Sequence, residues 1–177
     1  DGDVTFTVTT SAATSTDSKY NSLNPPDIQV TCTDDDVAGV TVSAISGNTR
    51  EDGSTATFTI VLNTEPVADV TINVESNDIT EGTVAPASVT FTNANWNTPQ
   101  TITVTGVDDV VADGNQTYTI ILHPAVSTDS NYNGIDPDDL SLQNIDNDQA
   151  GVNVFPVSGL ITTEAGGTAT FQMLLNT

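Results

Sequence analysis

The sequence has very few of the residues that bind zinc or form disulfides. Its 177 residues include one cysteine, Cys32, and one histidine, His123. A single cysteine excludes an internal disulfide and a thiolate cluster, and a single histidine excludes a histidine-based zinc site within one chain. Aromatic residues make up 5% of the chain, which is low for a large globular core. No apolar run approaches the roughly 20 residues that a transmembrane helix needs.

Positive charge is nearly absent. Lysine and arginine together number 2, against 24 aspartate and glutamate residues, so the formal net charge is -22. Such a chain repels nucleic acid phosphate and anionic lipid, which argues against nucleic acid as a partner and against direct membrane insertion. Two interpretations of the acids stay open. They keep the protein soluble, or they converge on cations.

An internal repeat is the strongest pattern that the sequence contains. Residues 1–47 match residues 113–159 at 21 of 47 positions with an offset of 112. After one inserted residue the match resumes, and TREDGSTATFTIVLNT from Thr49 is similar to TTEAGGTATFQMLLNT from Thr162. A period of this length predicts an array of domains rather than a solenoid of short units.

The acidic steps DDDVAG and DNDQAG mark the predicted borders between repeats. Cutting the chain there predicts the last two strands of a preceding repeat in residues 1–36, a complete repeat in residues 37–148, and the first two strands of a following repeat in residues 149–177. The chain begins at Asp1 without an initiating methionine or a signal peptide, so we expect it to be part of something longer.

The complete repeat alternates apolar residues with threonine at period two, as antiparallel sheets with one buried face do. Seven short strands are predicted, marked by Val40 and Val42, Ala56 to Leu62, Val70 to Val74, Val89 and Phe91, Ile102 and Val104, Tyr118 to Leu122, and Leu140 and Leu142. No segment has convincing helical periodicity. We therefore predict an all-β fold, an immunoglobulin-like antiparallel β-sandwich of about seven strands, in a tandem array.

Acidic residues cluster in the loops at one end of this predicted sandwich. With this strand order, loops one–two, three–four and five–six share an end with the terminus of the seventh strand. Nine acids fall at that end: Glu51, Asp52, Asp78, Glu81, Asp108, Asp109, Asp113, Asp146 and Asp148. Packing so many like charges together costs free energy unless a cation neutralises them. The pattern therefore favours a calcium site over a solvated acidic surface.

The segments REDGSTATFTIVLN, VDDVVADGNQTYTI and IDNDQAGV resemble the Calx-beta domain, the calcium-binding sandwich of sodium–calcium exchangers and of many bacterial surface repeats. The segment TNANWNTPQTITV looks more like the bacterial surface-repeat branch. The resemblance implies Ca²⁺ ligands at Glu51, Asp78, Asp108, Asp109, Asp113, Asp146 and Asp148. It also implies ligands of the preceding repeat at Asp34, Asp35 and Asp36, and a ligand of the following repeat at Glu164.

Two places depart from the family pattern. Asn147 occupies the middle of the terminal acidic triplet, where it keeps an oxygen ligand but loses a charge. Gly114 and Asn115 replace the second acid that is usual just before the sixth strand. The resemblance therefore implies fewer ions, or more weakly bound ions, than in the exchanger domains.

The expected function is mechanical, and we do not expect an enzyme. Calcium is expected to stiffen the Asp146–Gly151 junction and turn successive repeats into a rod on a secreted or cell-surface bacterial protein, with neighbouring repeats or identical chains as partners. One alternative is a fibre or surface-layer subunit assembled by strand pairing between chains. Another is an adhesin that binds a glycan or protein directly, for which Trp96 is the candidate platform. The acids lie at a domain end without an aromatic cleft, which argues against a glycosidase.

Cys32 has the strand parity of Ile28 and Val30, which predicts a small buried side chain. Its counterpart in the next repeat is Asn144, so the repeat does not require a thiol at this position.

Overall fold

The computed structural model describes residues 2–176 as an all-β protein. Neither α-helix nor 3-10 helix occurs within that range. In particular, the described residues form no helix of the length and apolar character that a membrane crossing requires. The chain divides into two compact units, Asp1–Ala38 and Gly39–Thr177.

The first unit is a two-stranded antiparallel sheet. Strand β1 (Val4–Val8) pairs with β2 (Ile28–Cys32), with Phe6 opposite Val30. Both strands are exposed along their whole length. Cys32 is exposed as well, so the prediction of a buried thiol is wrong. The physical reason is that β2 pairs only with β1 among the described strands, and no second sheet of this unit covers it.

The second unit contains two larger sheets. One has the strand order β3–β5–β9–β7, with β3 (Val40–Val42), β5 (Thr55–Leu62), β7 (Gly82–Ala85) and β9 (Gln100–Gly106). The other has the order β11–β6–β10–β12–β4, and β8 also pairs with β6. Its strands are β4 (Thr49–Arg50), β6 (Val70–Ser76), β8 (Ser88–Phe91), β10 (Gln116–Leu122), β11 (Val126–Ser127) and β12 (Leu140–Ile145).

The apolar faces of these two sheets supply the core. Buried residues alternate with partly exposed threonines, as in Phe58 and Ile60 of β5 and Ile72 and Val74 of β6. Tyr118 in β10 is also buried, at 1% exposure. The period-two pattern thus predicts the buried face correctly, and the arrangement is consistent with a sandwich.

Three short strands, β4, β7 and β11, were not predicted from the sequence. Strands β4 and β11 have two residues each, too few for an alternating pattern, and β7 begins at Gly82 and has one large apolar residue, Val84. Strand β4 matters most, because it pairs with β12 in parallel, whereas the other strand pairings described are antiparallel. The segment that contains β3 and β4 therefore contributes one strand to each sheet.

Strands β13 (Gly151–Phe155) and β14 (Gln172–Asn176) form a separate antiparallel pair, with Val154 opposite Met173. Their residues are largely exposed. The predicted repeat border at residue 148 stays a prediction.

Candidate metal centre

The parallel pairing of β4 with β12 brings the first acid of the repeat to the last acidic segment. Glu51 directly follows β4, and Asp146 directly follows β12. The backbone N–H of Glu51 donates to the carbonyl of Ile145 at 3.2 Å, which continues the pairing by one step. The backbone N–H of Asn147 then donates to Oε2 of Glu51 at 3.0 Å. Two parallel strands that end together therefore place these carboxylates side by side.

Three carboxylates form the centre of this cluster. Glu51, Asp146 and Asp148 each offer an oxygen, and these atoms all lie within 4.8 Å of one another. Calcium binds oxygen at about 2.3–2.6 Å, so two ligands of one ion lie at most roughly 5 Å apart. The spacing of the three oxygens therefore fits a single calcium ion.

Backbone hydrogen bonds orient Asp146. Its Oδ1 accepts the N–H of Asp148 at 2.7 Å, and its Oδ2 accepts the N–H of Gly114 at 2.7 Å. These bonds from Asp148 and Gly114 lower the pKa of Asp146. Asp146 therefore stays ionised and tied to both the junction segment and the loop before β10.

The environment of Asp148 shows most directly whether this cluster suits a cation. Its Oδ2 is buried and has no hydrogen-bond partner among the described residues. Burial raises the pKa of Asp148, and the nearby charges of Asp146, Asp108 and Asp109 raise it further. A buried carboxylate oxygen without a donor is costly. A cation bound at this position would satisfy that oxygen, so the residues present fit a metal ion.

Opposing effects act on the pKa of the Glu51 carboxyl group. It is buried, with 2% of its surface exposed. The hydrogen bond from Asn147 lowers the pKa of Glu51, but burial and the charges of Asp146 and Asp109 outweigh it and raise the pKa. A metal ion bound here would offset the repulsion between these carboxylates, because it supplies the positive charge that the site lacks.

Of the other predicted ligands, Asp108 and Asp109 lie next to these three. Oδ1 of Asp108 accepts Nδ2–H of Asn147 at 3.2 Å, which links the β9–β10 loop to the junction segment. The half-buried Asp109 raises the pKa of Glu51, while Asp113 and Asp78 act on a further acid, Glu81.

Glu81 was placed at this end of the fold from its sequence but was not identified as a site residue. It is 9% exposed, and Nδ2 of Asn144 approaches its Oε2 at 3.4 Å. Burial raises the pKa of Glu81, and the charges of Asp113, Asp78 and Asp109 add to the effect. Glu81 directly precedes β7. Because that strand was not predicted, the sequence offered no reason to select Glu81 as a site residue.

Other predicted ligands lie outside this cluster. Asp34, Asp35 and Asp36 follow β2 in the first unit, and Glu164 is exposed between β13 and β14. The first unit nevertheless repeats the hydrogen bonds of the centre. Oδ2 of Asp34 accepts the N–H of Gly2 at 2.7 Å, and its Oδ1 accepts the N–H of Asp36 at 3.2 Å. These are the counterparts, 112 residues earlier, of the bonds that Asp146 accepts. The repeat therefore encodes the same acidic loop geometry twice.

All the donor atoms gathered at this centre are oxygens. Carboxylates and backbone carbonyls are the ligands that Ca²⁺ prefers, and six to eight of them are needed. Three carboxylates lie within ligand distance of one another, and further carboxylates, such as Asp108, surround them. The arrangement can bind a hard divalent cation.

Comparisons with known proteins identify no family for the chain. No family model matches it, and no curated protein matches it. Among solved structures, it is similar to SSP-19, an MSP-domain protein like family member in Caenorhabditis elegans. The identity is 9%, the match covers 56% of this chain and 92% of that chain, and the TM-score is 0.38.

A second similar structure is WR4, a C. elegans MSP family member. The identity is 13%, the coverage is 59% of this chain and 98% of that chain, and the TM-score is 0.38. Similarity at this level has no bearing on ligand or partner.

Proposed function

We propose that residues 37–148 form a calcium-binding repeat of Calx-beta type, one of a tandem array in an extracellular or cell-surface protein. Its role is structural rather than enzymatic. The observation that supports the proposal most directly is the triad of Glu51, Asp146 and Asp148, whose oxygens have the spacing of ligands of one ion. The buried Oδ2 of Asp148, which lacks a donor among the described residues, points the same way.

Calcium acts at the junction between repeats. Two of the triad residues, Asp146 and Asp148, lie in the segment that leads into β13, and Glu51 lies in the body of the repeat. An ion shared among them ties the Asp146–Gly151 junction to the repeat, whereas without the ion the like charges repel one another. The junction stiffens, and an array of repeats becomes a rod.

The primary experiment is a calcium titration of the whole chain by calorimetry, combined with melting curves in calcium and in chelator. Binding to the folded state raises the melting temperature by mass action. We expect binding heat and a higher melting temperature in calcium, with a smaller effect of magnesium, which demands a stricter octahedral geometry. An absence of binding heat together with identical melting curves would contradict the proposal.

The stiffening itself is measured by protease protection of the Asn147–Gly151 segment. We expect cleavage there in chelator and protection in calcium, because the ion holds the flanking carboxylates in place. Equal cleavage rates in both conditions would contradict the mechanical role but would not contradict calcium binding.

A fibre-forming role is the second candidate, and one observation favours it. The two-stranded sheets expose large apolar side chains, among them Phe6 at 50%, Phe155 at 74% and Leu175 at 78%. Exposed apolar strands promote pairing between chains. Concentration-dependent assembly in sedimentation experiments would support this role, and a monomer at all concentrations would remove it.

A further inference from the structure

Beneath the candidate metal centre lies a small network of buried polar side chains centred on Asn144 of β12. Asn144 is 1% exposed and Thr49 of β4 is 0% exposed. Nδ2 of Asn144 donates to the carbonyl of Val107 at 2.8 Å and approaches Oε2 of Glu81 at 3.4 Å. Its Oδ1 accepts the hydroxyl of Thr49 at 3.1 Å. One amide thus connects three separate segments.

The Tyr118 hydroxyl completes this network. It lies 2.8 Å from Oγ1 of Thr49. A threonine hydroxyl has one hydrogen, so if it donates to Asn144 it must accept from Tyr118. The Gln143 carbonyl, at 3.3 Å, is a second acceptor for the Thr49 hydroxyl. When Thr49 donates to Asn144, the hydrogen bonds run from Tyr118 through Thr49 to Asn144 and on to Glu81 and Val107.

The connected residues are the ones that place the acids. Thr49 is two residues before Glu51, and Asn144 is two residues before Asp146. Val107 directly precedes Asp108. The network has no spare room, because a Cβ added at Gly106 would overlap the Arg50 carbonyl and Oδ1 of Asn144. The side chain of Asn144 therefore connects the ends of β4, β9 and β12.

Strands β1 and β2, the counterparts of β10 and β12, carry other residues at two positions of this network. At an offset of 112, Asn144 corresponds to Cys32 and Tyr118 corresponds to Phe6. Both replacements remove the groups that make these hydrogen bonds. The acids Asp34 and Asp36 are kept. Strands β1 and β2 thus have neither polar member of the network, although the carboxylates are present.

We propose that Asn144 is a positioning residue that sets the cation affinity of the centre, and that Phe6 and Cys32 mark a class of repeat that binds the cation more weakly. This inference rests on the proposed calcium binding. Residues that orient metal ligands from behind typically change metal affinity by about 10–100-fold when they are replaced.

The main test is the Asn144→Cys variant of the whole chain, which introduces the residue that the chain itself uses at the equivalent position. We expect the calcium dissociation constant, measured by calorimetry, to rise about tenfold or more. The Tyr118→Phe variant removes only the first donor of the network, and we expect a smaller rise of about threefold. The double variant is expected to resemble Asn144→Cys alone, because Tyr118 reaches the rest of the network only through Thr49 and Asn144.

The matched control is Tyr132→Phe. It also removes a buried tyrosine hydroxyl, but one that bonds Thr64 rather than the network. It is expected to lower the melting temperature and leave the dissociation constant unchanged. A purely structural role of Asn144 would give the same result for Asn144→Cys, and that outcome overturns the inference.

The outcomes separate the two proposals. If the wild-type chain binds no calcium, the proposed function fails and the inference fails with it. If the wild type binds calcium and Asn144→Cys binds it equally well, only the inference fails. If Asn144→Cys does not fold, Tyr118→Phe decides. A raised dissociation constant relative to Tyr132→Phe supports the inference, and an equal one overturns it.

Discussion

The backbone N–H of Asn147 donates to Oε2 of Glu51 at 3.0 Å, across 96 residues of sequence. This bond holds the first acid of the repeat against the acidic segment that ends it. It forms because β4 and β12 run parallel and end at the same level. A carboxylate held in this way contributes to a preorganised site.

Glu51→Gln tests the central carboxylate. Glutamine keeps an oxygen that accepts the Asn147 N–H, so the hydrogen bond survives while one negative charge is lost. We expect the calcium dissociation constant to rise at least about tenfold, by analogy with other changes to metal sites. In chelator we expect the melting temperature to stay the same or rise, because repulsion from Asp146 and Asp109 is relieved.

The control for this variant is Asp138→Asn. Asp138 is exposed and lies before β12, at the end of that strand opposite to Asp146. The substitution removes the same charge from the protein, so a general effect of net charge would appear in both variants. Equal calcium affinities for Glu51→Gln and Asp138→Asn would place the ion elsewhere.

Asp148→Asn tests the buried oxygen that lacks a donor. In chelator the Oδ2 atom of the wild-type Asp148 is buried and has no hydrogen-bond partner within residues 2–176. The neutral amide relieves this cost, so we expect a higher melting temperature in chelator and a much smaller increase on adding calcium. The quantity to measure is the difference between the two melting temperatures. A variant with the wild-type difference would show that Asp148 is not a ligand.

The pH dependence of the calcium-free protein has a defined sign. Burial and neighbouring carboxylates raise the pKa values of Glu51, Glu81 and Asp148 in the folded state. As the pH falls, these three carboxylates therefore become protonated at a higher pH in the folded protein than in the unfolded chain. Its stability should rise as the pH falls from 7 toward about 4.3, the ordinary glutamate pKa.

The opposite effect appears at lower pH. Hydrogen bonds lower the pKa values of Asp78 and Asp146, so the stability that they contribute is present above about pH 3.9 and is lost as the pH falls further. Melting curves in calcium-stripped buffers between pH 7.5 and pH 3 should therefore pass through a maximum. A steady decline from pH 7 downward would contradict the assignment of the raised groups.

Tyr132→Phe addresses the fold rather than the metal. The Tyr132 hydroxyl lies 2.7 Å from the carbonyl of Thr64 and accepts its backbone N–H at 3.1 Å. Tyr132 itself is 1% exposed. Its loss leaves partly buried groups of Thr64 without partners, and we expect a loss of about 1–2 kcal/mol in the free energy of unfolding. Denaturant titration should give the same loss in calcium and in chelator.

The strand pattern of the second unit could be predicted from the sequence with few errors. Phe58, Ile72 and Ile120 are buried as the alternation with threonine requires. The period-two pattern works here because the two sheets bury one face each. It fails for Cys32, whose strand has the same parity pattern but no covering sheet within its unit. Periodicity identifies a face, but the burial of that face depends on what packs against it.

The sequence by itself determined the repeat, the all-β class and the grouping of acids in particular loops. These properties depend on local residue order, which a single chain displays directly. The tertiary structure decided which acids meet. Glu51 approaches Asp146 because a two-residue strand pairs in parallel with β12, and Asn144 joins Thr49 to Val107 inside the fold. Those contacts join residues tens of positions apart in the sequence, and only the pairing of β4 with β12 and the packing of β9 against their sheet bring them together.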